Sequence, residues 1–164
     1  MTLNSIIEKG KIPVLLAPMA GVTDLPFRNV VSKFGVDMVF SEMIADHSVL
    51  SRNVKNQKIE LGSSFANTAV QLAGCEPKAM GEAAKIVSDL GARAIDINMG
   101  CPAKKVVNGY AGSALLKDIP LASKLIEAVV NSVSVPVTLK TRLFCNDDYL
   151  NAATLAKLAE QLGC

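Results

Sequence analysis

Metal-binding residues are scarce in this chain and poorly spaced. It has one histidine, His47, and its four cysteines, Cys75, Cys101, Cys145 and Cys164, stand far apart. A zinc site would need an unusual set of ligands, and no metal is expected. No apolar run approaches the roughly 18 residues of a membrane-spanning helix. Met1 to Lys11 has neither the long apolar segment nor the cleavage pattern of a secretory signal. The expectation is a soluble cytoplasmic protein that does not engage a membrane. A net charge of +2 does not by itself call for a polyanion, although Arg52, Lys55, Lys58, Lys104 and Lys105 could form a local basic surface. The first strand is not followed by a dinucleotide glycine fingerprint, and no phosphate-loop motif occurs anywhere, so the two commonest nucleotide-binding readings lack support.

What the chain does have is hydrophobic residues in half of its 164 positions, enough for one sizeable core. Ile12 to Leu16 reads as a buried strand that breaks at Ala17-Pro18-Met19-Ala20-Gly21. Thr23 can cap a helix running towards Lys33, with Phe27, Val30, Val31 and Phe34 largely on one side and Gly35 as its stop. Met38 to Ser41, Thr68 to Leu72, Ala94 to Asn98 and Val135 to Arg142 are further strands. Helices follow from Pro77 to Gly91, from Asp118 or Pro120 through Val129, and from Ala152 to Gln161.

Regular alternation of strand and helix implies parallel pairing and an α/β class. Five such units are present, whereas a closed (β/α)₈ barrel takes about 250 residues. The chain therefore reads as a partial TIM barrel of about five of eight units, the first part of a larger domain. An open parallel sheet is the other solution, and its first and fifth strands would need defended edges.

In such folds ligand-bearing residues gather at the carboxyl ends of the strands, where Pro18, Met19, Glu42, Gln71, Asn98, Cys101, Lys140 and Arg142 fall. Asp96 and Asn98 should share a face, with Ile95 and Ile97 turned to the helical layer. The Asn98 amide can orient a planar ring or cap a loop. Cys101 can serve as a general acid, since thiols are mainly protonated near neutral pH, or lie buried and inert. Lys140 and Arg142 share a strand face and suit an electron-rich ligand, or else they snorkel to solvent. Gln71 and Glu42 can each contact a heterocycle or cap a loop. His47 reads as a surface residue without an assignable acid partner. Lys104 and Lys105 could meet phosphates or simply be solvated.

Taken in order, Ala17-Pro18-Met19-Ala20-Gly21-Val22-Thr23-Asp24, Ser41-Glu42-Met43, Val70-Gln71-Leu72, Asn98-Met99-Gly100-Cys101-Pro102-Ala103-Lys104-Lys105-Val106 and Lys140-Thr141-Arg142 resemble the bacterial tRNA-dihydrouridine synthases, most like the B subgroup. The resemblance implies an FMN-binding barrel followed by a small helical tRNA-binding domain. Residues 1–164 would be the amino-terminal part of that barrel, with the later strands and the helical domain absent. It also implies that Pro18, Met19 and Ala20 line the flavin, that Gln71 and Lys140 contact its ring, and that Asn98 orients flavin or uracil. Lys104, Lys105 and Arg142 would meet RNA, although Leu143 to Tyr149 departs from the family's Gly-Trp-like turn. In the implied reaction NADPH or NADH reduces FMN, flavin N5 gives a hydride to C6 of a tRNA uridine, and Cys101 gives a proton to C5. Two other readings stay open: a related flavin enzyme acting on a free pyrimidine, and a truncated relative without catalysis.

Overall fold

A computed structural model describes residue 10 and residues 12–51, 67–144 and 151–164. Arg52, Lys55, Lys58 and Cys145 lie outside the described residues, as does most of the Leu143 to Tyr149 segment. The elements are β1 (Leu15–Leu16), α1 (Leu25–Ser32), β2 (Met38–Phe40), β3 (Ile44–Ala45), α2 (Asp46–Leu50), β4 (Thr68–Ala73), α3 (Pro77–Asp89), β5 (Ala94–Met99), α4 (Lys104–Val107), a 3₁₀ segment (Gly112–Lys117), α5 (Ile119–Ser132), β6 (Val137–Thr141) and α6 (Ala152–Gln161).

All strand pairs are parallel, in the order β1-β2-β4-β5-β6, with β3 also on β4. β2 and β3 occupy one edge of β4 in succession. Phe40 pairs with Ala69 and Ile44 with Leu72, so four residues on one side advance against three on the other. That extra residue is a bulge in a single interrupted strand. Among the described residues the six short strands thus make five strand positions, and the chain is a partial (β/α)₈ barrel with an open sheet.

Residue parity divides the sheet into two faces. Val70, Leu72, Ile95, Ile97 and Met99 point outward and pack on Met80, Ala83, Ala84 and Val87 of α3 and on Leu125, Ile126 and Val129 of α5. Each large aliphatic side chain buried there contributes roughly 1.5–3 kcal/mol. α3 and α5 approach closely at Gly81, where a Cβ would lie 2.7 Å from Ser132 Oγ and 3.0 Å from the Ala128 carbonyl. The inner face is apolar at the start of the strands, with Met38, Phe40, Ala69 and Ala94 in contact. It turns polar one pleat further on, at Gln71, Asp96 and Thr138, and this change of character positions the site.

Two local expectations are corrected. Only Leu15 and Leu16 of the Ile12 to Leu16 run pair as strand, and Ile12 is 89% exposed. Val14 N donates to the Asp37 carboxylate at 2.9 Å instead of to a neighbouring backbone carbonyl, so regular pairing gives out there. Helix α1 is capped by Asp24, whose Oδ1 accepts from Phe27 N at 2.9 Å. Thr23 is wholly buried one residue earlier, and its hydroxyl serves the preceding turn. Among the described residues, no helix is long and apolar enough to cross a membrane.

Candidate active site

The turn after β1 is tied at both ends. The Met19 carbonyl accepts from Val22 N at 3.1 Å and from Thr23 N at 3.0 Å. Thr23 Oγ1 donates to that same carbonyl and accepts from Met19 N. Glu42, at the end of β2, accepts from Gly21 N and so fastens the turn to the second strand. Glu42 thus caps the turn, one of the two roles open to it. Ser41 lies in the bulge, where its Oγ accepts from Gln71 N at 3.1 Å and donates to the Glu42 carbonyl at 2.8 Å.

A chain of side-chain hydrogen bonds crosses the inner face. Thr138 Oγ1 donates to Asp96 Oδ1 at 2.6 Å, and Gln71 Nε2 donates to Asp96 Oδ2 at 2.6 Å. Asn98 Nδ2 donates to Gln71 Oε1 at 2.9 Å. Asn98 Oδ1 then accepts from Gly100 N at 3.1 Å and Cys101 N at 3.0 Å. Of the two readings of Asn98, its oxygen caps the loop, while its amide nitrogen is tied to Gln71. Burial pushes the Asp96 carboxyl above its ordinary range, and the hydrogen bonds from Thr138 and Gln71 and the charge of Lys140 partly offset this.

These residues border a cleft of about 240 Å³ lined by Pro18, Ala20, Met43, Gln71, Asn98, Gly100, Cys101, Pro102 and Lys140. Lys140 stands opposite Asn98 in the β5–β6 register. Six positions singled out in the sequence therefore meet in one place: Pro18, Ala20, Gln71, Asn98, Cys101 and Lys140. Met19 is not part of the lining. Arg142, Lys104 and Lys105 are exposed near the same strand ends, the two lysines on the short α4. Lys105 borders a second cavity of about 520 Å³ with His47, Cys75 and Met43, the last of which it shares with the cleft. His47 has an acid neighbour after all, with Nδ1 3.4 Å from Asp46 Oδ1, although its side chain is 83% exposed.

Sequence reasoning assigned no role to Met43, Ser41, Asp96 or Thr138. The two-residue period carried a signal for the last two, since Asp96 precedes Asn98 and Thr138 precedes Lys140 by one pleat. Among the described residues, no three His, Cys, Asp or Glu side chains are grouped to hold a metal.

A parallel strand–helix sheet with its polar cleft at the carboxyl strand ends defines the class, an α/β-barrel protein with the site where such barrels carry chemistry. The particular family follows from comparison. The dihydrouridine synthase (Dus) family model matches residues 15–164, and the chain belongs to that family. It is 53% identical over 152 residues to "Probable tRNA-dihydrouridine synthase" of Rickettsia bellii, covering 92% of this chain and 47% of that protein. A protein of the same name from Rhodobacter capsulatus is 54% identical over 154 residues, with the same coverage of 92% and 47%. "tRNA-dihydrouridine synthase B" of Pseudomonas aeruginosa is 50% identical over 152 residues, covering 92% of this chain and 46% of that protein. The chain spans about half the length of the curated relatives it matches.

Proposed function

We propose that this chain is the amino-terminal part of an FMN-dependent reductase that converts uridine to 5,6-dihydrouridine in tRNA, with NADPH or NADH as the reductant. The observation that carries the reading is the meeting of Gln71, Asn98, Lys140 and Cys101 around one cleft in a member of this family.

The residues suit the ring of FMN. Pro18, Ala20 and Met43 offer apolar flanks, while Gln71, Asn98 and Lys140 offer donors to a polar ring edge. A volume of about 240 Å³ is below the roughly 300–1,000 Å³ of complete small-molecule sites. On this reading it is one part of a larger site, and the remainder falls to later strand ends of the family barrel. When bound, reduced FMN supplies the hydride that goes to C6 of the uracil ring.

Cys101 holds a proton at Sγ and delivers it to C5, so that the C5=C6 bond is saturated and the thiolate regains its proton from solvent. Asn98 holds the Cys101 loop through its backbone N–H groups. Lys140 sets a positive charge beside the ring edge. The substrate base must leave its stack to enter a recessed cleft, and the exposed Lys104, Lys105 and Arg142 can meet the flanking phosphates.

The test is to incubate the protein from its native source with FMN, NADPH and either unmodified tRNA or free uracil, reading products by mass spectrometry. We expect dihydrouridine in tRNA only, and a loss of at least about a hundredfold in Cys101→Ala at unchanged flavin occupancy, the scale of a lost general acid. Reduction of free uracil without tRNA turnover would replace the reading with a free-pyrimidine enzyme. Unchanged product in Cys101→Ala would remove Cys101 from its role.

A further inference from the structure

The hydrogen-bond chain across the inner face has a direction, and both of its ends fix it. Asp96 is buried at 2% exposure, and its two carboxyl oxygens accept from Thr138 Oγ1 and Gln71 Nε2. Gln71 must then turn Nε2 towards it, because Gln71 Oε1 in that position would set two acceptors about as close as the 2.6 Å contact observed. Gln71 Oε1 is thereby aimed at Asn98, which must answer with Nδ2. Asn98 Oδ1 is left for Gly100 N and Cys101 N, which can only donate. Every link is therefore determined by the one before it. After these bonds each of the two amides keeps one N–H, and Lys140 adds only donors, so this side of the cleft presents hydrogens and calls for a ligand edge of acceptors.

We infer that Asp96 is a positioning residue, which acts through Gln71 and Asn98 to make the cleft wall a set of donors and to hold the Cys101 loop. Nothing in the reaction requires it to touch substrate. Where the ligand edge is that of a flavin or uracil ring, the inference rests on the proposed function. The link from Asp96 to the Cys101 loop does not, and it can be read without any cofactor.

The measurement is amide hydrogen exchange on the cofactor-free full chain. In Asp96→Leu the Gln71 amide loses its acceptor, and we expect exchange at Gly100 and Cys101 to quicken by about tenfold, the weight of one ordinary hydrogen bond. The buried α5 amides of Leu125 and Ile126 should be unchanged. Asp96→Asn keeps an acceptor for Gln71, because the Thr138 hydroxyl can accept as well as donate, and it should restore slow exchange. Should Asp96→Leu fail to fold, Gln71→Leu cuts the chain one link further on and should give the same local rise. The inference is overturned if the folded variant leaves Gly100 and Cys101 unchanged, if α5 quickens equally, or if Asp96→Asn behaves like Asp96→Leu. Failure of wild type to bind flavin would instead overturn the proposed function, leaving these exchange results to stand or fall by themselves.

Discussion

Thr23 and Asp96 are buried polar side chains, the first read from sequence as a helix cap and the second given no role. Thr23 closes the turn that carries Pro18 and Ala20, so Thr23→Val should cost roughly 0.5–1.5 kcal/mol, the weight of an ordinary hydrogen bond to the Met19 amide. Urea unfolding would measure this, and a loss below 0.5 kcal/mol on that order-of-magnitude scale would show that the turn holds itself. Asp96 makes stability depend on pH in an unusual sense for an acid. Its folded-state value is raised, so the folded protein binds the proton more tightly than the unfolded chain does. That contribution is fully present below the unfolded value and is lost as pH climbs through the folded one. Asp96→Asn cannot ionise. Its Tm relative to wild type should therefore rise as pH increases from about 4 towards neutrality, and a gap that stays constant would contradict the assignment. At this scale the sequence was only partly legible. Period and strand-end position brought out Asn98, Cys101 and Lys140, but whether an amide oxygen caps a loop or meets a ligand depends on neighbours distant in sequence, such as Gln71, 27 positions away.

At the scale of elements, the Cys101 loop is held from the far side by the 3₁₀ segment. Ser113 N donates to the Cys101 carbonyl at 3.0 Å. Gly112 has φ +61°, and a Cβ there would come within 2.6 Å of that carbonyl and 2.9 Å of Val106 Cγ1. Gly112→Ala should therefore displace the loop as well as strain the backbone. On the proposed function, we expect the rate of uridine reduction to fall by up to about a hundredfold, the scale of a 1 Å misplacement, with flavin occupancy unchanged. Equal rates in the two proteins would separate the segment from the site. The identities of the longer strands and helices were legible because hydrophobic period and Gly/Pro punctuation agree, and Ala152 to Gln161 was bounded from sequence as it is observed, whereas the short β3, α2, α4 and 3₁₀ segment were not singled out. The bulge between β2 and β3 was not, since it depends on Ser41 Oγ standing in for a backbone acceptor.

For the whole molecule, the sheet ends at β1 and β6 among the described residues, and both sides carry uncovered apolar groups. Phe34 is 82% exposed on one side, and an apolar groove of about 640 Å³ runs between β6 and α6 on the other. A closed barrel pairs both edges, which accords with a chain about half the length of its relatives. Phe34→Asp in the isolated chain should change stability by less than about 0.5 kcal/mol in urea unfolding, as exposed positions do. A large loss of stability would mean that Phe34 is already packed. The number of strand units was legible from length and alternation, whereas the exposure of α1 was not, because an amphipathic pattern marks a face to be covered without naming the cover.

The most direct test of the central claim is the dihydrouridine content of tRNA from native cells lacking the gene for this chain, measured by mass spectrometry. We expect a loss at specific tRNA positions that is restored by the wild-type gene and not by Cys101→Ala. Unchanged dihydrouridine after deletion, or full restoration by Cys101→Ala, would contradict the claim that this cleft reduces tRNA uridine with Cys101 as its acid.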